Sequence, residues 1–479
     1  MGGGDYMKAD KQPQHFRVNK QRLRFTAIAA LLFTLLIVAQ FGCLIAAACI
    51  PRTDIQHNLE ESSALLNRHE VFFYASASNP ASRIDRYADS ILMNIIYYYD
   101  SEHPVTSVLR SSYYHTDSEN ENVNLKYALA NAPAPTLEYS RYWHGSIALL
   151  RPLLLILNLK QIYILLGSTL LLLTALLILC MIRYRYGRST ILCFLTGSIM
   201  ISIWYVPFSL EYIWTFLLMN LACILVTVLY EKGQDALWLL LMCIGSLTAY
   251  FDFLTTETLT LLVPLALILI KAYQPSADRW SDTTFHLTSF SDGVRFSLPA
   301  CLLWLLAYAG TWSLKWGIGS LILHENLFQS ALSQASFRLS GAIDITDQGI
   351  VDETTMLLQA IPRNLYYLFP FSYLGQHAVP VIFLTLFGIA FFYYMTRRGS
   401  HINPLPLLLG ILACVPLLRY LVLSNHSYIH CFFTYRALFA TIFCIGTAVC
   451  QGVDADWLKK KWRKLWNPSK SRTARKRRS

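Results

Sequence analysis

The sequence predicts an all-α integral membrane protein whose helices cross the bilayer about ten times. Hydrophobic residues make up 54% of its 479 residues and charged residues only 14%, whereas soluble domains carry about 25% charged residues. The apolar residues fall in runs of roughly 17 to 25, the length that a helix needs to cross a hydrocarbon core of about 30 Å. Lysine and arginine cluster beside these runs, which is typical of membrane spans oriented by charge.

The net charge of +11 lies mainly at the two ends of the chain. Basic residues precede the first apolar run and fill the tail after Trp457. Such clusters orient the neighbouring spans and bind anionic lipid headgroups, and no aromatic-rich recognition motif accompanies them, so nucleic acid is not an expected partner. We therefore predict a basic cytoplasmic N-terminus (1–25), a single transmembrane domain (26–452) and a basic cytoplasmic tail (453–479).

Each predicted span follows from an apolar run bounded by polar or basic residues. In order, the spans are residues 26–50, 153–182, 190–206, 213–229, 237–250, 258–270, 296–316, 377–394, 405–423 and 433–449. With the N-terminus inside, the basic residues that follow the second span (183–188), the sixth (271) and the eighth (397–398) all fall on the cytoplasmic side, as the positive-inside rule requires. The chain is thus expected in the cell membrane with both termini in the cytoplasm.

Two long loops, residues 51–144 and 317–376, are then external. Loops of this length are usually functional or disordered, and their apolar content argues against disorder. Residues 88–99 place apolar side chains at spacings of three to four, which predicts an amphipathic helix lying along the membrane interface. A weaker pattern of the same kind covers residues 356–371, interrupted by Pro362 and Pro370.

The eleven cysteines do not indicate a disulfide framework or a thiolate metal site. Nearly all of them lie inside apolar runs, where a free cysteine acts as a small hydrophobic residue. The chain contains no CxxC pair, the spacing expected of a redox motif or a zinc site.

Asp85 and Asp89 in the first external loop are the strongest candidates for chemistry. If the segment is helical, their spacing of four places both carboxylates on one face. There they could share a divalent metal, or one could act as a general base while the other orients it. The alternative is an acidic helix start, which the helix dipole favours.

Two tight connections between spans also carry carboxylates at the expected outer surface. Asp252 is flanked by Phe251 and Phe253, and an acid at that depth is costly unless it faces protein or a water-filled cavity. The alternative is a capped hairpin. Glu211 occupies the same level between two other spans. Together with the aspartates of the first loop, these residues predict carboxylates directed at one outer cavity.

Histidine and arginine residues near the outer span ends complete the predicted site. His426 and His430 lie four apart, a spacing that binds metal if helical, although positioning of a phosphate or hydroxyl group fits better without cysteine or HExxH context. Arg151 either snorkels or binds a lipid phosphate. The residues predicted to bind substrate are Arg86, Arg151, Glu211, Asp252, His426, His430 and Arg436.

The arrangement of these features resembles the GT-C superfamily of membrane glycosyltransferases. The shared features are a first span, a long external loop with interfacial helices and an acidic motif at Asp85 and Asp89, and many further spans with a second long loop. Members of that superfamily place a catalytic aspartate in the first loop, and here the resemblance leaves Asp85 and Asp89 as equal candidates. This chain lacks a large soluble C-terminal domain, so the resemblance is to single-monosaccharide transferases rather than oligosaccharyltransferases.

The resemblance implies transfer of a monosaccharide from a polyprenyl-phosphate donor to an extracytoplasmic acceptor. One aspartate would act as general base, and Arg436, Arg151 or His426 would stabilise the charge on the departing phosphate. No cofactor is assigned; a divalent metal, held by Asp85 and Asp89 if present, stays open. A transporter or lipid flippase is the main alternative, and an accessory membrane protein without catalysis is a third.

Overall fold

The computed structural model describes residues 14–77, 79–274, 285–340, 343–345, 349–368, 388 and 404–452. These residues are largely helical, with three pairs of short antiparallel strands. Seven of the described helices are long and apolar enough to cross a membrane. This confirms the predicted fold class, an all-α protein rich in apolar helices of membrane-spanning length.

The helices in chain order are α1 (Gln14–Ala48), α2 (Arg52–Leu66), α3 (Tyr87–Tyr98), α4 (Pro104–Arg110), α5 (Glu121–Asn131), α6 (Ile147–Leu153), α7 (Leu159–Arg183), α8 (Arg188–Met200), α9 (Ile213–Leu229), α10 (Gln234–Phe251), α11 (Leu259–Ala272), α12 (Phe290–Leu323), α13 (Leu327–Ser340), α14 (Glu353–Tyr367), α15 (Pro404–Val422), α16 (Ser424–Ile429), α17 (Cys431–Thr434) and α18 (Leu438–Gly452). The paired strands are β1 (Phe72–Tyr74) with β2 (Arg83–Asp85), β3 (Ser112–Tyr113) with β4 (Leu137–Glu138), and β5 (Ile343–Ile345) with β6 (Gly349–Val351).

The number of spans is only partly established. Seven predicted spans coincide with the seven long apolar helical segments, the last of which joins α17 and α18 through one 3-10 turn and covers Cys431–Gln451. The predicted span 258–270 coincides with α11, which has 14 residues. The predicted span 190–206 is α-helical only as far as Met200, where α8 ends after 13 residues. Helices of that length extend only about 20 Å, which is less than the hydrocarbon core of about 30 Å. Residues 377–394 lie outside the described residues except for Gly388, so a total of ten spans stays a prediction.

The second span begins later than predicted. The apolar run starts at Leu153, but α6 ends there and α7 begins at Leu159. Asn158 caps α7, because its side chain accepts from the Gln161 N–H while the Gln161 side chain accepts from the Asn158 N–H. This capping box satisfies two N–H groups that would otherwise lack partners, so it sets the helix start more strongly than hydropathy does.

Helix α10 packs closely against α12. A Cβ added at Gly245 would meet the Trp304 carbonyl oxygen at 2.3 Å, so only glycine allows the two backbones to approach this closely. Buried hydrogen bonds add to the contact: Gln40 Nε2 donates to Ser246 Oγ at 3.1 Å, and Ser246 and Thr311 share a hydroxyl bond of 2.8 Å. These bonds join α1, α10 and α12.

The first long segment is folded, as its composition predicts, and its hydrophobic core is continuous with that of the apolar helices. The predicted helix at 88–99 is present as α3. The predicted amphipathic character is wrong, because residues 89–97 are buried without interruption; the position of α3 along the membrane interface stays a prediction. Packing of α2, α5 and α6 around α3 covers the face that an interfacial helix would present to lipid or water.

The second long segment contains α13, the β5–β6 hairpin and α14. Asp352 caps α14 by accepting the Thr355 N–H at 3.0 Å. The buried residues of α14 include Met356, Ala360 and Asn364 at intervals of four, which confirms the predicted one-sided pattern. Pro362 does not interrupt this helix, contrary to prediction, and residues 369–371 lie outside the described part of the chain.

Candidate active site

The connections between the apolar helices enclose a cavity of about 400 Å³ at one end of the bundle. Its volume lies within the range of small-molecule sites. The cavity draws residues from both long segments and from three shorter connections. Its lining consists of Phe72, Asp85, Tyr87, Ala88, Ile91, Leu92, Ile95, Tyr139, Tyr142, His144, Glu211, Phe253, Arg338, His426, Ile429, His430 and Phe433.

Asp85 lies in the wall of this cavity, at the end of β2. The prediction that Asp85 and Asp89 share one face of a helix is wrong, because α3 begins only at Tyr87. Instead, Asp85 Oδ1 accepts the Ala88 N–H at 3.0 Å, and this bond leads the strand into the helix. The carboxylate therefore has one oxygen held by the backbone.

Asp85 and Glu211 form a hydrogen-bonded pair of carboxyl groups in the cavity wall. Burial raises the pKa of Asp85 to about 6, and the hydrogen bond to Glu211 and the nearby Arg83 guanidinium oppose that rise. Burial, together with the neighbouring Asp85 charge, raises the pKa of Glu211 well above its usual range. Two adjacent carboxyl groups cannot both ionise at low cost. At neutral pH, Glu211 keeps its proton and donates it in the hydrogen bond, and Asp85 is ionised.

Asp89 is completely buried and is not part of the cavity lining. Its carboxylate accepts hydrogen bonds from the Tyr163 hydroxyl and from the Leu210 N–H at 2.8 Å, with a longer contact of 3.4 Å to Ser209 Oγ. Burial raises its pKa to about 7. These bonds join α3 to α7 and to the connection that carries Glu211, so Asp89 holds that connection in place behind the cavity.

Asp252 is also buried behind the cavity, and it organises the turn after α10. Its carboxylate accepts from the Thr255 N–H at 3.2 Å and from the Thr255 hydroxyl at 2.5 Å. The turn brings Leu254 into the left-handed region, with φ of 64°. The Leu254 carbonyl then accepts bonds from Arg419 Nη2 at 2.6 Å and His426 Nε2 at 2.8 Å. Asp252 thereby orients His426, which does line the cavity.

His426 and His430 lie side by side, with ring centroids 4.7 Å apart. His426 donates from Nε2 to the Leu254 carbonyl, and His430 Nε2 lies 2.9 Å from Arg338 Nη1, which can only donate. Burial and the neighbouring His430 lower the pKa of His426 well below its usual range. Burial and Arg338 lower the pKa of His430 to about 3. Both imidazoles are therefore neutral at physiological pH.

Three predicted substrate-binding arginines are occupied by protein groups. Arg151 donates to the carbonyls of Ile50 at 2.6 Å and Tyr99 at 2.9 Å, and also to that of Ile96, so it holds the ends of α1 and α3. Arg86 donates to the Leu65 carbonyl at 2.9 Å. Arg436 lies over the rings of Tyr212 and Tyr435, 4.7 and 4.9 Å from their centroids. None of the three contributes to the cavity lining.

Two basic lining residues were missed in the sequence. His144 lies directly before Gly145, where a Cβ would meet the Tyr250 side chain at 2.3 Å; this close approach brings the loop against α10. His144 donates from Nε2 to the Tyr139 carbonyl at 2.9 Å, and burial lowers its pKa to about 3. Arg338 comes from α13 in the second long segment. Of these two residues, only His144 has a local sequence feature that could have indicated it, the His-Gly pair just before the second apolar run.

The arrangement of these residues does not favour a metal at the predicted positions. Asp85 and Asp89 do not face a common space, and His430 is bound to a guanidinium. Within the described ranges, no group of three histidine, cysteine, aspartate or glutamate side chains could hold a metal ion.

The cavity thus combines one ionised carboxylate, one protonated carboxyl, neutral imidazoles and several aromatic rings. Such a set can remove a proton from a hydroxyl group and bind an uncharged polar ring. Comparisons of the chain with protein-family models, with curated proteins and with solved structures found no match.

Proposed function

We propose that this protein is a glycosyltransferase that moves a monosaccharide from a polyprenyl-phosphate donor to an extracytoplasmic acceptor. The observation that carries the proposal is the Asp85–Glu211 pair in the wall of a cavity of about 400 Å³. Aromatic side chains such as Tyr139, Tyr142 and Phe433 surround it, as in sites that bind sugar rings through their apolar faces.

Asp85 is the general base in this proposal. It accepts the proton of the acceptor hydroxyl while the acceptor oxygen forms a bond to the anomeric carbon of the sugar. The bond between that carbon and the phosphate oxygen breaks, and the polyprenyl phosphate leaves with the electron pair. Glu211 keeps its own proton throughout, and its hydrogen bond holds Asp85 in the ionised form.

A second, smaller cavity of about 170 Å³ between α12 and α13 fits the lipid-phosphate part of the donor. It shares Tyr142 and Arg338 with the first cavity, so the two spaces meet there. Its other lining residues are Arg141, Leu254, Trp312, Trp316, Ala331, Ala335, Leu339 and Leu423. A mostly apolar cavity whose lining includes two guanidinium groups has the chemistry that suits an isoprenoid chain joined to a phosphate.

Arg141 and Arg338 are suited to the phosphate because no carboxylate among the described residues forms an ion pair with either of them. Arg141 instead lies 4.1 Å from the Tyr139 ring centroid, and Arg338 contacts the neutral His430. A bound phosphate would supply the missing countercharge, and guanidinium groups match its geometry.

The test uses purified protein and polyprenyl-phosphate hexoses labelled in the sugar, with an extract of glycans, lipids and proteins from the source cells as acceptor. Enzyme-dependent movement of label out of the polyprenyl-phosphate fraction is expected. A second measurement uses the same donors in proteoliposomes and follows their movement between the two leaflets. Movement of intact donor between leaflets, with the sugar still attached, would instead support a flippase and overturn the proposal.

The pH dependence of transfer should report the ionisation of Asp85. Because its pKa is about 6, we expect kcat/KM to rise as pH increases through about 6 and then level off. Glu211→Leu removes the hydrogen bond that lowers the pKa of Asp85, so the rise should move to higher pH. Glu211→Gln keeps a donor at that position, and its profile should stay near that of the wild type. Identical profiles for both variants would contradict the pairing.

The proposal requires the cavity to face away from the cytoplasm, which a reporter fusion can test. A reporter inserted between α11 and α12 is expected to be active only on the cytoplasmic side. A second reporter between α4 and α5, in the first long segment, is expected on the opposite side. The reverse result would place the cavity in the cytoplasm, where the proposed acceptor is not available.

A further inference from the structure

We infer that Tyr142 is a second catalytic residue, whose hydroxyl donates a hydrogen bond to the phosphate oxygen that leaves the sugar. The inference rests on the proposed function, since it names the group that assists departure of the polyprenyl phosphate. Asp85 takes the proton of the acceptor in that reaction. The negative charge that develops on the leaving oxygen is stabilised best by a donor that is already in position.

Tyr142 lies where the two cavities of the candidate site meet. It lines the cavity of about 400 Å³ that contains Asp85 and also the cavity of about 170 Å³ assigned to the lipid phosphate. Of the described residues, Arg338 alone shares this position. A donor with its sugar in the first cavity and its phosphate in the second has the connecting oxygen at this boundary. The bond that breaks is therefore beside the Tyr142 side chain.

Aromatic contacts fix the ring of Tyr142, which is only 8% exposed. Its centroid lies 5.4 Å from that of Trp312 and 5.5 Å from those of Tyr139 and Phe253. Trp312 is itself anchored, because its Nε1 donates to the Ala249 carbonyl at 3.2 Å. A ring packed against three others keeps its hydroxyl in one place before substrate binds, as electrostatic stabilisation of a transition state requires.

The hydroxyl of Tyr142 has a proton to donate to a ligand. The Arg141 guanidinium hydrogen-bonds this hydroxyl, and a guanidinium can only donate, so the phenol oxygen is the acceptor. In the part of the chain that the structure describes, the Tyr142 proton has no protein acceptor. Burial raises the pKa of Tyr142, and the guanidinium groups of Arg141 and Arg338 oppose that rise. The hydroxyl keeps its proton at physiological pH.

The charges around this hydroxyl suit an anionic oxygen. Arg141 and Arg338 both lie close enough to influence the pKa of Tyr142. Carbonyl oxygens at helix ends disfavour an anion, and Leu254 and Leu339 bring two such groups near the second cavity. Both of these carbonyls accept hydrogen bonds from protein donors. The hydroxyl and the two guanidinium groups therefore determine the local preference for a phosphate.

Tyr142 donates a hydrogen bond in the transfer step but does not lose its proton. The bond between the anomeric carbon and the phosphate oxygen breaks, and its electron pair stays on that oxygen. The proton of the acceptor hydroxyl goes to Asp85. Because the hydrogen bond from Tyr142 strengthens as charge grows on the leaving oxygen, it lowers the barrier more than it tightens binding of the intact donor.

Tyr142→Phe removes the hydroxyl and keeps the ring, so its melting temperature should stay near that of the wild type. We expect kcat for transfer from polyprenyl-phosphate hexose to fall about 10²- to 10³-fold, the usual cost of removing one donor to a developing oxyanion. KM should change much less, because the bond forms fully only in the transition state. The rise of kcat/KM at pH about 6 should remain, since Asp85 is unchanged.

Tyr139→Phe is the matched comparison. Tyr139 also hydrogen-bonds Arg141 and lines the first cavity, but it does not line the second. Loss of its hydroxyl should lower kcat less than about tenfold, as for one ordinary hydrogen bond. Equilibrium binding of polyprenyl phosphate, the product, gives a measurement that needs no turnover. Tyr142→Phe should weaken it by about tenfold or more, and should weaken binding of the intact donor less.

The outcomes separate this inference from the proposed function. Equal losses of kcat in Tyr142→Phe and Tyr139→Phe would overturn the role of Tyr142 while sugar transfer by the wild type still stands. Unchanged binding of polyprenyl phosphate in Tyr142→Phe would do the same. If the wild-type protein transfers no sugar, the proposed function fails, and the assignment of Tyr142 fails with it.

Discussion

Asp85→Asn is expected to lower the rate of sugar transfer by about 10²- to 10⁴-fold, the usual contribution of a general base. Asparagine keeps the acceptor oxygen that binds the Ala88 N–H, but it cannot take a proton from the acceptor. The variant should fold normally, because burial already disfavours the charge of Asp85. The measurement is the initial rate of label transfer, combined with the melting temperature in detergent.

Two comparisons separate catalysis from folding in this experiment. Asp89→Asn leaves one acceptor oxygen for the Tyr163 hydroxyl and the Leu210 N–H, so it should lower the melting temperature, unlike Asp85→Asn. Glu102→Gln removes an exposed carboxylate of the same segment outside the cavity and should retain full activity. Transfer at the wild-type rate in Asp85→Asn would exclude Asp85 as the base.

Glu257→Gln is expected to destabilise the fold by about 3 to 5 kcal/mol, the usual result of removing one partner from a buried ion pair. Arg419 donates from Nε to Glu257 Oε1 at 2.6 Å and from Nη2 to Oε2 at 3.0 Å. Both side chains are more than nine-tenths buried. The substitution leaves the guanidinium without a countercharge, and the turn that positions Leu254 depends on the same arginine. Reversible unfolding in mixed micelles measures the loss.

The double variant Glu257→Leu with Arg419→Met is the sharper comparison. It removes both charges together, so it should recover much of the stability lost in the single variant. Asp100→Asn breaks the exposed pair of Asp100 with His103, and it should cost less than about 1 kcal/mol. A loss in Glu257→Gln no larger than that of Asp100→Asn would mean that the buried pair does not hold the turn.

The candidate site was only partly predictable from the sequence. Asp85, Glu211, His426 and His430 were predicted and all line one cavity, because span ends must lie near one another wherever the chain returns to the same surface. The choice between Asp85 and Asp89 as the candidate general base required the three-dimensional structure. The two residues look alike in sequence, but the oxygens of Asp89 are taken up by groups 74 and 121 positions away.

The arginines show most clearly what could not be predicted from the sequence. An arginine near a span end is predicted from the sequence to bind phosphate. In the structure, however, Arg151 donates to the backbone carbonyls of Ile50, Ile96 and Tyr99. Carbonyl groups at the ends of helices have no local partners, and only the tertiary arrangement decides which arginine satisfies them. Arg338, by contrast, lines the cavity from a segment whose sequence carries no comparable signal.

The sequence by itself determined the class of this protein and the positions of most apolar helices, because hydropathy and charge act locally and their cost in a membrane is large. The tertiary structure decided that the helix after α6 begins only at Leu159, that α3 is buried, and which carboxylates meet. These features depend on capping, packing and hydrogen bonds between residues far apart in the chain. Such contacts produce no periodic pattern and no compositional bias in the sequence, so they could not be predicted from it.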